Sequence, residues 1–129
     1  VQQLIQLLSD DTSYTIDFHI SGTLYRLDNV IQNTILFAIR ELFVNGKTYS
    51  GVDKLMIGLT YESNRVLLNV SDNGHGFDYG SFIQSAEYGV KKLGLYLIEK
   101  RVTLLNGKIE VESELQKGCS IKIYIPKIS

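Results

Sequence analysis

The sequence predicts a mixed α/β two-layer sandwich: a largely antiparallel sheet with helices packed on one face. Three observations predict it. Several short stretches alternate apolar and polar residues with the period of a strand. Two longer stretches carry an apolar stripe with the period of a helix. The order of these elements is helix, strand, long helix, two strands, loop, helix, two strands, which does not alternate as βαβ units do.

The elements follow in order. Leu4, Ile5 and Leu8 share one helical face, and Ser9 to Ser13 breaks the pattern. Ile16, Phe18 and Ile20 alternate with Asp17, His19 and Ser21, which predicts a strand with one buried face and a solvated His19. Gly22 turns the chain. Asp28 and Asn29 are both good N-caps, and Gln32 stands where a capping box with Asn29 would need it. A long helix is expected from there to about Tyr49, with Ile31, Ile35, Ala38 and Leu42 as its core stripe. Leu55, Ile57, Leu59 and Tyr61 predict a strand, Glu62-Ser63-Asn64 a turn, and Val66, Leu68 and Val70 an antiparallel return. Asp78 to Lys92 has weak periodicity and reads either as a mobile lid or as an ordinary long loop. A helix is expected to begin at Gly94, with Leu95, Ile98, Val102 and Leu105 as its apolar face and Asn106-Gly107 as its stop. Ile109 and Val111, then Ile121, Ile123 and Ile125, predict the last two strands, the second stopped by Pro126.

Composition narrows the classes. At 129 residues the chain is one domain, long enough to bury a core. Thirteen Lys+Arg against 14 Asp+Glu leave a net charge of −1 with no basic tract, so binding to a nucleic-acid backbone is not expected. The single Cys119 excludes an internal disulfide and a thiolate metal cluster, and it fits a reducing compartment. The run Ile35 to Ile39 is far short of the ~20 residues that cross a bilayer. With Val1 rather than Met at its start, the chain is expected to be a piece of a longer one. Residues 1–10 would then be the tail of a preceding helix or linker, and 11–129 the domain.

Three places carry candidate chemistry. Asp72-Asn73-Gly74-His75-Gly76-Phe77 ends a strand with an acid beside two glycines. It reads equally as a corner that admits a polar ring, the carboxylate taking an N–H donor, and as an Asp-Asn-Gly turn closing a hairpin. Glu41 and Asn45 stack one helical turn apart at the edge of the core stripe, either as a surface pair or as two groups aimed into a half-buried site. Gly94, preceded by Lys91 and Lys92, reads as an anion site at a helix N-terminus or as a start that only needs room for packing.

Taken in order, Glu41-x-x-x-Asn45, Asp72-x-Gly74-x-Gly76-Phe77, Leu93-Gly94-Leu95 with Asn106-Gly107, and Lys117-Gly118-Cys119-Ser120 resemble the ATP-binding catalytic domain of bacterial sensor histidine kinases. That is the Bergerat-fold superfamily shared with gyrase, Hsp90 and MutL. The resemblance runs from about Tyr14 to Lys127 and is greatest with the nitrate-sensor and quorum-sensor subgroup. It implies ATP and Mg²⁺ as cofactors. By resemblance, Asn45 would ligate the Mg²⁺, an oxygen donor suited to a hard ion, and Glu41 would polarise a water or the incoming nucleophile. Asp72 would accept from the exocyclic amine of adenine, with Gly74 and Gly76 shaping the base pocket. Lys47, Thr48 and Tyr49 would border the pocket, Phe82 to Leu93 would be the ATP lid, and Gly94 and Leu95 would offer N–H groups to the phosphates. The implied partners are a histidine-bearing dimerisation domain of the same parent chain and, indirectly, a response regulator. The fragment would be monomeric, its parent homodimeric and the location cytoplasmic, with membrane anchoring of the parent left open.

Three positions depart from the pattern. Lys92 occupies the first glycine of the second glycine box, where it could contact phosphate itself. Thr48 stands where a basic residue is usual, with Lys47 one place earlier. Cys119 replaces the threonine that commonly supports the adenine-bound water, a weak partner for which Ser120 could substitute. Neither His19 nor His75 sits where a phosphoacceptor would. The alternatives are a nucleotide-free interaction module of the same fold and a stand-alone anti-sigma-type serine kinase.

Overall fold

Asp28 starts the longest helix. Its Oδ1 accepts from the N–H of Val30 at 3.1 Å, and its carbonyl accepts from the N–H of Gln32 at 2.9 Å, so the cap is Asp28 rather than the Asn29–Gln32 box. The computed structural model describes residues 15–49, 54–72, 89–114 and 118–127. Its elements are β1 (Thr15–Gly22), α1 (Asn29–Tyr49), β2 (Lys54–Tyr61), β3 (Arg65–Asp72), α2 (Gly89–Leu104), β4 (Lys108–Glu114) and β5 (Gly118–Pro126). The amphipathic segment Leu4 to Leu8, the glycines of the first box and residues 82–88 of the expected lid lie outside the described residues.

The five strands form one sheet in the order β1-β2-β3-β5-β4. β1 runs parallel to β2 and every other pair is antiparallel, as expected from the element order. The core sits between one face of the sheet and the two helices. Leu55, Ile57 and Leu59 of β2, Val66, Leu68 and Val70 of β3, and Ile121, Ile123 and Ile125 of β5 are buried there. They meet Ile31, Ile35, Ala38, Ile39 and Leu42 of α1 and Leu95, Ile98 and Val102 of α2. Between the helices the Arg101 guanidinium lies 3.9 Å from the centre of the Phe37 ring.

Two expectations are corrected. Ile20 is exposed although Ile16 and Phe18 of the same strand face are half-buried. β1 is an edge strand, and its burial falls away toward Gly22. The second helix begins at Gly89 rather than Gly94 and takes in the last residues of the expected lid. One turn before Leu95 the apolar stripe would fall on Lys91, so hydrophobic periodicity carries no trace of the extra turns.

The stop of α2 is a Schellman motif. The N–H of Gly107 bonds the carbonyl of Val102 at 2.9 Å and that of Asn106 bonds Thr103 at 3.0 Å. The left-handed residue is Asn106, with φ 60°. Gly107 is required for a different reason: a Cβ there would strike the Tyr124 carbonyl and approach Val102 Cγ1 to 2.8 Å.

The end of the sheet opposite the candidate site is pinned by Tyr25. Its hydroxyl donates to the carbonyls of Glu62 at 2.7 Å and Arg65 at 3.1 Å, and its ring meets Tyr61 edge-on at 5.1 Å. Burial, with Tyr61 and Glu62 nearby, pushes the phenol above its usual value of 10.0. Tyr25→Phe is expected to lower stability by about 1 kcal/mol, the net worth of one such bond. The raised value means that this contribution is complete at neutral pH and is lost only as the pH climbs above that of the free phenol. Urea unfolding of both proteins at pH 7 and above pH 10 checks both statements. An equal gap between them at the two pH values would remove the hydroxyl as the cause.

Candidate functional site

Chain connectivity puts the candidate residues at one end of the sheet. Lys54 opens β2 where β3 closes on Asp72, since Leu55 pairs with Asp72. β5 starts at the same end, Ser71 pairing with Ser120. Only residues 50–53 separate α1 from β2, a reach of at most roughly 17 Å, so the turn of α1 that holds Asn45 ends close to that edge. α2 is connected to the opposite end of the sheet through the short link from Leu104 to Lys108. Sixteen residues of helix span about 24 Å, which returns the N-terminal end of α2 to the Asp72 side.

Asp72 is half-buried and lies in phase with Val66, Leu68 and Val70, on the helix-covered face of the sheet. Its Oδ1 accepts a 3.1 Å hydrogen bond from the backbone N–H of Cys119. Cys119 is itself half-buried against the core, in phase with Ile121, Ile123 and Ile125. The corner is therefore built by two chain segments 47 residues apart. Among the described residues the strands that neighbour β3 are β2 and β5, and not β4, which follows β3 in sequence. A carboxylate has about four lone-pair sites, so the bond from the Cys119 N–H does not by itself exhaust the accepting capacity of Asp72.

Ser120, expected to stand in for Cys119 at the adenine-bound water, lies on the other face of β5 from Asp72. Side chains alternate across a strand, and Ser120 falls out of phase with Cys119. Its hydroxyl lies 3.4 Å from Oδ1 of Asn69 on the outer face of the sheet, away from Asp72. The signal was in the sequence: Ile121, Ile123 and Ile125 already give Cys119, not Ser120, the inward parity.

Glu41 is half-buried on α1, one turn before Asn45. The side chains of Asn45, Lys47, Thr48, Tyr49 and Lys92 lie outside those described, although their backbones belong to α1 and α2. Gly74 and Gly76 lie outside the described residues altogether. Gly94 and Leu95 are buried inside α2, Leu95 with its side chain in the core. Because the helix starts at Gly89, the N–H of Gly94 faces the carbonyl of Val90 rather than solvent. The helix-terminal donors sit around Gly89 to Lys92 instead. The backbone amide of Cys119 was missed by sequence reasoning, since a main-chain donor leaves no mark on residue type. His19 is on the exposed edge strand with its Nε2 3.0 Å from Asp17 Oδ1. Among the described residues no three of His, Cys, Asp and Glu come together as a metal site, and no helix is long and apolar enough to cross a membrane.

The described fold is a five-stranded mixed sheet under two helices, with an acid closing β3 beside the start of β5. The chain belongs to the histidine kinase-, DNA gyrase B- and HSP90-like ATPase family, which matches residues 23–129. It is 26% identical over 111 residues to the oxygen sensor histidine kinase NreB of Staphylococcus carnosus, covering 86% of this chain and 30% of that protein. Among solved structures it resembles the histidine kinase domain of the blue-light activated kinase EL346 of Erythrobacter litoralis, with TM-score 0.69 at 16% identity, over 98% of this chain and 60% of that one. It also resembles the histidine kinase AdeS of Acinetobacter baumannii, with TM-score 0.72 at 19% identity, over 99% and 63%. The chain thus spans about a third of the length of its curated relative.

Proposed function

We propose that the chain is the ATP-binding catalytic part of a sensor histidine kinase. It would hold Mg·ATP at the Asp72 end of the sheet for transfer to a histidine on a separate dimerisation domain of the same parent. The observation that carries this reading is Asp72, a half-buried carboxylate on the helix-covered face whose Oδ1 accepts from the Cys119 N–H. The kinase names of NreB, EL346 and AdeS support the choice of phosphoacceptor. The donor set suits the nucleotide: a carboxylate for the base amine and the carboxamide of Asn45 for a hard cation. Bound there, Mg·ATP supplies the phosphoryl group, and such transfers depend mainly on positioning and charge neutralisation.

The residues divide the work. Asp72 accepts from the adenine amine, and Gly74 and Gly76 give the ring room. Asn45 ligates Mg²⁺ and Glu41 orients the nucleophile from the preceding turn. Lys47, Thr48 and Tyr49 border the pocket, while Lys92, Gly94 and Leu95 serve the phosphates. For Gly94 and Leu95 to donate, α2 must unwind its first turns, since their N–H groups are spent inside the helix in this structure. The domain would work in the cytoplasm, with a response regulator receiving the phosphoryl group from the parent.

Calorimetric titration with ADP and Mg²⁺ tests the reading. Heat of binding and a rise in melting temperature are expected, with no self-labelling from ATP, because the acceptor histidine of the proposed reaction lies on the separate dimerisation domain. Asn45→Ala is expected to remove the Mg²⁺-dependent part of the affinity, roughly tenfold for one lost charge-assisted contact, and to leave metal-free ADP binding intact. Absence of both heat and thermal shift at millimolar ADP would overturn the proposal. A nucleotide-free interaction module is favoured by one observation: from Cys119 to Ile125, β5 presents no hydroxyl on the face of Asp72. The same titration separates the two readings.

A further inference from the structure

We infer that the backbone amide of Cys119 is a positioning group that orients Asp72 for reading the base, and that the side chain at 119 is dispensable for this. The inference rests on the proposal that Asp72 accepts from the adenine amine. In an antiparallel pair the N–H and carbonyl of one residue point to the same neighbour. β3 and β5 pair through Ser71 and Ser120, so the next positions outward are Asp72 and Cys119. There the ladder changes character: the Cys119 N–H goes to Asp72 Oδ1 at 3.1 Å. A bond from a neutral donor to a carboxylate is stronger than one between neutral groups. It ties one oxygen of Asp72 to the start of β5, beside the inward-facing Cys119.

This arrangement gives the departure at Cys119 a physical reading. A side-chain hydroxyl can be replaced without removing this bond to Asp72, because a backbone N–H is common to every residue except proline. Base recognition through Asp72 is then decoupled from residue identity at 119. Cys119→Ala should keep the orientation, and removal of the N–H should lose it.

The test compares ADP with purine riboside 5′-diphosphate, which lacks the exocyclic amine. Both are titrated into the wild type, Cys119→Ala and Cys119→Pro. A fourth protein carries an α-hydroxy acid at 119, which replaces the N–H by an oxygen without the proline ring. The wild type is expected to prefer ADP by at least tenfold. Cys119→Ala should stay within about twofold for both ligands, whereas the proline and ester variants should lose most of the preference, ADP weakening and the amine-free analogue not. The ester variant decides the matter should the proline variant fail to fold. Equal weakening of both ligands in the ester variant would assign the amide a structural role only and overturn the inference. So would full retention of the preference. A wild type that binds ADP and its amine-free analogue equally would instead overturn the assignment of Asp72 to the base, and the inference with it.

Discussion

Asp72→Asn is expected to weaken ADP binding by roughly ten- to a hundredfold, as loss of a hydrogen bond to a charged acceptor does. The reasoning is one of polarity. Asparagine still offers one oxygen to the Cys119 N–H, so the closure of β3 on β5 is preserved. Its other arm is an NH₂ donor, which would meet the adenine amine donor to donor. The loss should be the same with and without Mg²⁺, because the base and not the phosphates is affected. Titration calorimetry at both conditions, with a thermal melt to verify folding, checks this. An unchanged dissociation constant in a folded protein would take the base-reading role away from Asp72. The contrast with Asn45→Ala, whose effect is confined to the metal-bound nucleotide, separates the two ends of the ligand.

Ile98→Ala is expected to cost about 3 kcal/mol and to lower the melting temperature by roughly 10 °C. Ile98 is 0% exposed and sits in the single core cluster that joins α1, α2 and the sheet. Truncation removes apolar surface and leaves a cavity that the sheet on one side and α1 on the other cannot both close around. Leu104 on the same helix is 78% exposed. Leu104→Ala should therefore stay within about 0.5 kcal/mol of the wild type. Chemical unfolding of the pair measures the difference directly, and equal losses would contradict the burial of the α2 inner face.

Much of the architecture was legible because it is encoded between near neighbours. The stripe Ile31, Ile35, Ala38 and Leu42 announced α1 and its buried side, and all four are in the core. The alternation through Val66, Leu68 and Val70 announced β3, and all three are buried. The start of α2 was less legible, because Lys91 interrupts the apolar stripe while leaving the helical hydrogen bonds untouched. The exposure of Ile20 was hidden for another reason. A period of two tells which residues share a face, but not whether an opposing layer reaches that far.

The sequence by itself determined the type and order of the described elements, their inward faces, and the acid that ends β3. Periodicity and turn chemistry are local, and they act before any long-range contact exists. Only the tertiary structure decided the strand order β1-β2-β3-β5-β4, with β5 inserted beside β3. That insertion buries Ile121, Ile123 and Ile125 under the helices, and the burial of apolar surface rewards it without any local signal. It also carries the amide of Cys119 to the carboxylate of Asp72 across 47 residues. The acid that ends β3 thereby gains a backbone donor from β5, on the face of the sheet that the helices cover.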